Sequence, residues 1–167
     1  MAASHASRRG ALGLLFALLL AAPPVHAASF RGTVTHVTDG DTLWVRPARG
    51  GEPVELRLLH LDAPEGCQPF GPQAKKALAQ RVLHQQVLVH TRGRDDYQRS
   101  LAQVRHRGED IGAWLVREGH AWADGFRGAK GPYDEFEAQA RRARRGLWSA
   151  PGALEPRSFR RRHGRCQ

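Results

Sequence analysis

The chain has 167 residues, of which 41% are hydrophobic, with 26 Lys and Arg against 16 Asp and Glu for a net charge of +10 and only two Cys. That is the length of one domain, too apolar for a disordered polyelectrolyte. Its 18 Gly and 10 Pro are spread without a period, which excludes collagen-like, coiled-coil and repeat architectures.

Arg8 and Arg9 precede an apolar run from Ala11 to Ala22, followed by Pro23, Pro24 and the small-residue pattern Val25-His26-Ala27. This is the layout of a secretory leader cut after Ala27. A helix of that run spans about 18 Å against a hydrocarbon core of about 30 Å, so no membrane anchor is expected. Residues 1–27 are therefore expected to be a signal peptide directing export to the periplasm or the medium. The leader holds two Arg and no acid, which leaves residues 28–167 with a net charge of +8.

Phe30, Gly32 and Val34 alternate with Arg31, Thr33 and Thr35, and Val37 then falls out of phase, which predicts a strand with a bulge or bend. Thr42 to Arg46 reads as a second strand, Arg49-Gly50-Gly51-Glu52-Pro53 as a turn, and Val54 to Leu61 as a third, more apolar strand. Ala74, Ala77, Leu78 and Val82 predict a helix over 72–83, and Gln86 to Thr91 and Ser100 to His106 read as two more strands. Asp110 suits the cap of a helix in which Ile111, Trp114 and Leu115 share a face, with Gly119 as its stop. In the last helix Tyr133, Phe136, Ala140, Ala143 and Leu147 recur at three and four residues, and Gly146 ends it. Three strands, a helix, two strands and two helices describe an α+β protein. A five-stranded barrel flanked by three helices is the economical closure, because it leaves no open edge.

From Ala150 onward Arg157, Arg160, Arg161, Arg162 and Arg165 face Glu155 alone, a net +4 with little apolar content, which reads as a flexible tail over 150–167. Such a tail either holds a polyanion by neutralising phosphates or is a solvated end; sequence does not separate the two. Cys67 and Cys166 permit one disulfide in an exported protein, the alternative being two unrelated thiols.

The chain has no Cys-x-x-Cys, His-Glu-x-x-His, Gly-x-Ser-x-Gly or Walker phosphate loop, so zinc, serine-nucleophile and ATP chemistry lack support. Three blocks of acids beside Arg remain: Thr38-Asp39-Gly40-Asp41-Thr42, Arg57 through Glu65, and Asp95-Asp96-Tyr97-Gln98-Arg99. Each alone has an ordinary explanation, since Asp-Gly is a common turn signal and Arg57 suits a structural salt bridge. Arg57 nevertheless sits inside an apolar strand and demands a carboxylate or phosphate opposite. It lies five residues before Asp62, an odd separation that a straight strand would aim at opposite faces, so one shared site requires a break between Leu58 and Leu61.

Together these blocks and the terminal Gly146-Leu147-Trp148-Ser149 resemble the staphylococcal nuclease family, with similarity from about Phe30 to Ser149. The resemblance implies an OB-fold barrel over residues 28–149 and a Ca²⁺-dependent endonuclease hydrolysing DNA and RNA, acting as a monomer and leaving 3′-phosphate ends. By position, Asp41, Asp62 and the Ala63 carbonyl look like calcium ligands, Glu65 like the general base, and Arg57 and Arg99 like the phosphate-binding catalytic pair. Tyr97 corresponds to a substrate-binding residue. Trp122 or Phe126 either stacks on a base or belongs to the core. Gln98 departs from the family's usual Gly, and the loop Gly66–Phe70 is shorter than in the archetype. Two other readings stay open: a nucleic-acid-binding module without catalysis, and a secreted basic protein acting at anionic surfaces.

Overall fold

Residues 29–125, 129–164 and 166 are described in a computed structural model. The expected leader 1–27 and Phe126 lie outside the described residues. The elements are β1 (Ser29–Val37), β2 (Thr42–Pro47), β3 (Val54–Leu58), β4 (Leu61–Asp62), α1 (Gly71–Val82), β5 (Gln86–Arg94), β6 (Ser100–His106), β7 (Glu109–Asp110), α2 (Ile111–Arg117), β8 (Trp122–Ala123), α3 (Asp134–Arg142), a 3₁₀ turn (Gly146–Ser149) and α4 (Pro156–His163).

β1 pairs with β2 and β5, β2 with β3, and β5 with β6, all antiparallel. The parallel pairing of β3 with β6, Leu56 to Ser100 through Leu58 to Ala102, shuts the ring. The result is a closed five-stranded OB-fold barrel of α+β class. Alternating apolar residues fill it: Val34, Leu43, Val45, Leu56, Val89 and Val104 are fully buried. The break in phase near Val37 corresponds to a register shift between Val34 and His36, which bends β1 around the barrel.

Helix α1 packs against β1 and α2 against β6, with Leu78 and Val82 of the first and Ile111 and Leu115 of the second in the same core. Asp110 caps α2 by accepting hydrogen bonds from the Gly112 and Ala113 N–H groups at 3.0 and 3.3 Å. Gly119, just past its end, has φ +73°, a left-handed value that glycine adopts without cost.

The C-terminal segment differs from its reading as a flexible tail. Residues 156–163 form α4, a fourth helix beyond the three expected. Pro156 suits a first helical turn, and Phe159, the segment's one large apolar side chain, is buried. An eight-residue helix is marginal alone, so docking rather than propensity sustains it.

Cys67 and Cys166 are joined in a disulfide with a sequence separation of 99. Closing a loop of that size is worth about 4.7 kcal/mol in the chain-entropy model. Replacing both cysteines by serine should therefore lower the urea midpoint by an amount corresponding to a few kcal/mol. An unchanged midpoint would show that the cross-link restrains only the end of the chain.

Candidate active site

Three separate stretches of sequence meet at one end of the barrel. The first is the turn between β1 and β2. The Asp39 carboxylate accepts the Asp41 N–H at 3.0 Å, and the Thr38 N–H donates to the Thr42 carbonyl at 2.9 Å, which fixes a tight bend. Gly40 is required there by space: a Cβ would stand 2.6 Å from the Ala63 Cβ and 2.9 Å from the Ala74 Cβ of α1. Asp41, only 1% exposed, is thereby pressed into the interior.

The second stretch is β3 through β4. After Leu58 the strand breaks, and His60 takes φ +67° before β4 pairs with β8. This break turns Asp62 to the side of Arg57. One guanidinium now spans both carboxylates: Arg57 Nη1 donates to Asp41 Oδ1, and Nη2 to Asp62 Oδ1 at 2.8 Å. The other Asp41 oxygen accepts the Ala63 N–H at 2.8 Å, and the Thr42 hydroxyl donates to Oδ1 at 3.1 Å. Burial pushes the Asp41 carboxyl up to about 7, aided by the charges of Asp39 and Asp62 and opposed by Arg57. For Arg57 burial disfavours the charge, but Asp41 and Asp62 more than offset it and hold the guanidinium protonated.

The third stretch is the start of β6. Arg99 is clasped by Asp95, which accepts from its Nε at 2.8 Å, and its Nη1 reaches the Thr42 hydroxyl at 3.4 Å. Arg99 is thus linked to Asp41 through the Thr42 hydroxyl, two hydrogen bonds away. Burial works against the Asp95 charge, yet hydrogen bonds from the Arg99 side chain and backbone bring its pKa below the usual carboxylate value. Tyr97 is 59% exposed at the rim, with the Arg99 guanidinium 5.5 Å from its ring centroid. Trp122 is buried edge-on against Trp148 at 5.1 Å, so it belongs to the core of the two expected alternatives.

Sequence reasoning missed two participants. Gln68, buried, accepts the Glu65 N–H through Oε1 at 3.2 Å and donates to the Leu154 carbonyl, tying the Glu65 loop to the C-terminal segment. Arg160 of α4 reaches into the acids: Nη2 donates to Asp62 Oδ2 at 2.9 Å, and Nη1 to Asp62 Oδ1 at 3.2 Å and Glu65 Oε1 at 2.7 Å. Burial opposes the Arg160 charge, but these hydrogen bonds hold it protonated. The one signal for Arg160 was Cys166, whose pairing with Cys67 would have placed the segment beside Glu65.

The structure therefore brings Asp41, Arg57, Asp62 and Glu65 into one cluster with Arg99 at its edge. Among the described residues no group of three or more His, Cys, Asp or Glu forms a metal-holding arrangement. Two carboxylates bridged by one guanidinium nonetheless offer oxygen donors alone, suited to a hard cation rather than to zinc. That a guanidinium from α4 lies on Asp62 and Glu65 marks the spot as one that draws positive charge.

The family profile described as Staphylococcal nuclease homologue matches residues 55–150. The chain is also 40% identical over 147 residues to a micrococcal nuclease of Shigella flexneri, covering 80% of this chain and 82% of that protein. The chain belongs to the staphylococcal nuclease family. Protein ParB of Escherichia coli is 38% identical over 95% of this chain and 93% of its own length, and an uncharacterized endonuclease of Haemophilus influenzae is 34% identical over 77% and 71%. Membership gives the departure at Gln98 a physical meaning. Gln98 has φ +65°, the left-handed region where glycine costs least, so this member of the staphylococcal nuclease family holds strain just before its second Arg.

Proposed function

We propose that the chain is an exported, calcium-dependent nuclease that hydrolyses phosphodiester bonds of DNA and RNA. The observation that carries this reading is the convergence of Asp41, Arg57, Asp62 and Glu65 from distant stretches of the chain, a set that mere phosphate binding would not need. The names of the relatives support nucleic acid as the substrate. No helix among the described residues is long and apolar enough to cross a membrane.

Held by Asp41, Asp62 and the Ala63 carbonyl, calcium would supply a Lewis-acidic charge beside a substrate phosphate oxygen. Glu65 takes the proton of a water whose oxygen attacks phosphorus. During the attack negative charge builds on the equatorial oxygens; the bond to the 5′-oxygen then breaks, and that oxygen leaves as a hydroxyl with a proton from solvent water. Arg57 and Arg99 bind that charge through guanidinium forks, which lysine cannot imitate. The product carries a 3′-phosphate.

Plasmid DNA incubated with residues 28–167 should be fragmented in Ca²⁺ and left whole when a chelator is added. Retarded but intact DNA in Ca²⁺ would instead make the barrel a binding module. Fragmentation that persists in the chelator would remove the metal from the reading.

A further inference from the structure

We propose that Arg160 is a resident cation of the acid cluster, which a divalent ion must displace, so that helix α4 sets the ion concentration at which the enzyme works. This rests on the reading of Asp41 and Asp62 as ligands of that ion.

Arg160 engages both oxygens of Asp62 and one of Glu65 through its two terminal nitrogens. Those are the oxygens of a proposed ligand and of the proposed base. A dication sharing the Asp62 carboxylate with a guanidinium would meet a like charge within a few ångströms, so the two compete for the same oxygens.

The contact is built into the fold. Arg160 follows Phe159, which is buried, while Arg157, Arg161 and Arg162 on the same helix are exposed. Ahead of the helix the Leu154 carbonyl accepts from Gln68, and beyond it Cys166 is bonded to Cys67, two residues from Glu65. Both ends of the segment are thus tied to the loop that carries the base. A tethered side chain acts at a high effective concentration, and a ligand that needs the minor, displaced state binds with an affinity reduced by the fraction of that state.

The test is calorimetric titration of Ca²⁺, without nucleic acid, into the wild-type protein, Arg160→Gln, Arg161→Gln and the double variant Cys67→Ser/Cys166→Ser. If the displaced state is about a tenth of the population, Arg160→Gln should bind Ca²⁺ about tenfold more tightly. The untethered double variant should fall between it and the wild type. Arg161→Gln removes the same charge from the exposed side of α4 and should leave the affinity unchanged. Should α4 undock in Arg160→Gln, as circular dichroism would register, the cluster is still opened and tighter binding is still expected. Equal affinity for wild type and Arg160→Gln would overturn the proposal while leaving the calcium reading intact, as would weaker binding by Arg160→Gln or an equal gain in Arg161→Gln. Absence of Ca²⁺ binding in every variant would overturn both.

Discussion

Arg57→Gln should lower the single-turnover rate of phosphodiester cleavage by about 10²-fold or more, roughly 2.7 kcal/mol of transition-state stabilisation. Two separate losses combine. The fork that meets charge on the equatorial oxygens is gone, and Asp41 and Asp62 lose the guanidinium that bridges them. Asp41 is the more exposed to that second loss, because burial already pushes its carboxyl up and Arg57 is the largest influence holding it down. The change should therefore also cost stability, since a buried carboxylate stripped of its partner is penalised by about 3–5 kcal/mol. Arg57→Lys separates the two: it keeps the charge without the fork, so it should recover most of the stability and little of the rate. Cleavage of a labelled oligonucleotide, read alongside urea unfolding, checks both, and a lysine variant with wild-type turnover would show that bidentate geometry is not used.

The second large effect is expected at Glu65. Glu65→Gln preserves shape and removes the proton acceptor, so turnover should fall by about 10²- to 10⁴-fold while Ca²⁺ is still bound. Because Glu65 also receives Arg160, the substitution is best repeated in the Arg160→Gln background, where that ion pair cannot contribute. Near-normal turnover with Ca²⁺ bound would assign the proton to another acceptor.

The barrel was legible because alternation is a local signal. Each of its five strands presents apolar residues every second position, and the one lapse, at Val37, lies beside a real change of register. The core of the site was legible for a related reason. An arginine in an apolar strand has to be neutralised, and the odd spacing of Arg57 and Asp62 demanded the break now seen at His60. Helix α4 was not legible. Its charge and low apolar content describe a segment that does not fold alone, and what holds it is its own single phenylalanine together with Gln68 and Cys67, contributed by a distant part of the chain. β4 and β8, of two residues each, are too short for any periodicity to register. The role of Trp122 was equally undetermined, since an indole packed edge-on against Trp148 and one that stacks on a base are the same letter in a sequence.

The parallel seam between β3 and β6 makes the candidate site a property of the whole ring. Asp41, Arg57, Asp62 and Glu65 all precede β6 in the chain, Arg57 within the seam itself; Arg99 stands just before the first residue of the strand that completes it. A fragment ending ahead of β6 would retain four of the five groups and still lack the stave on which the fifth is mounted, leaving β3 with a bare edge. Architecture and candidate site are in this sense one unit: the pairing that closes the ring is also what sets Arg99 beside the strand that carries Arg57.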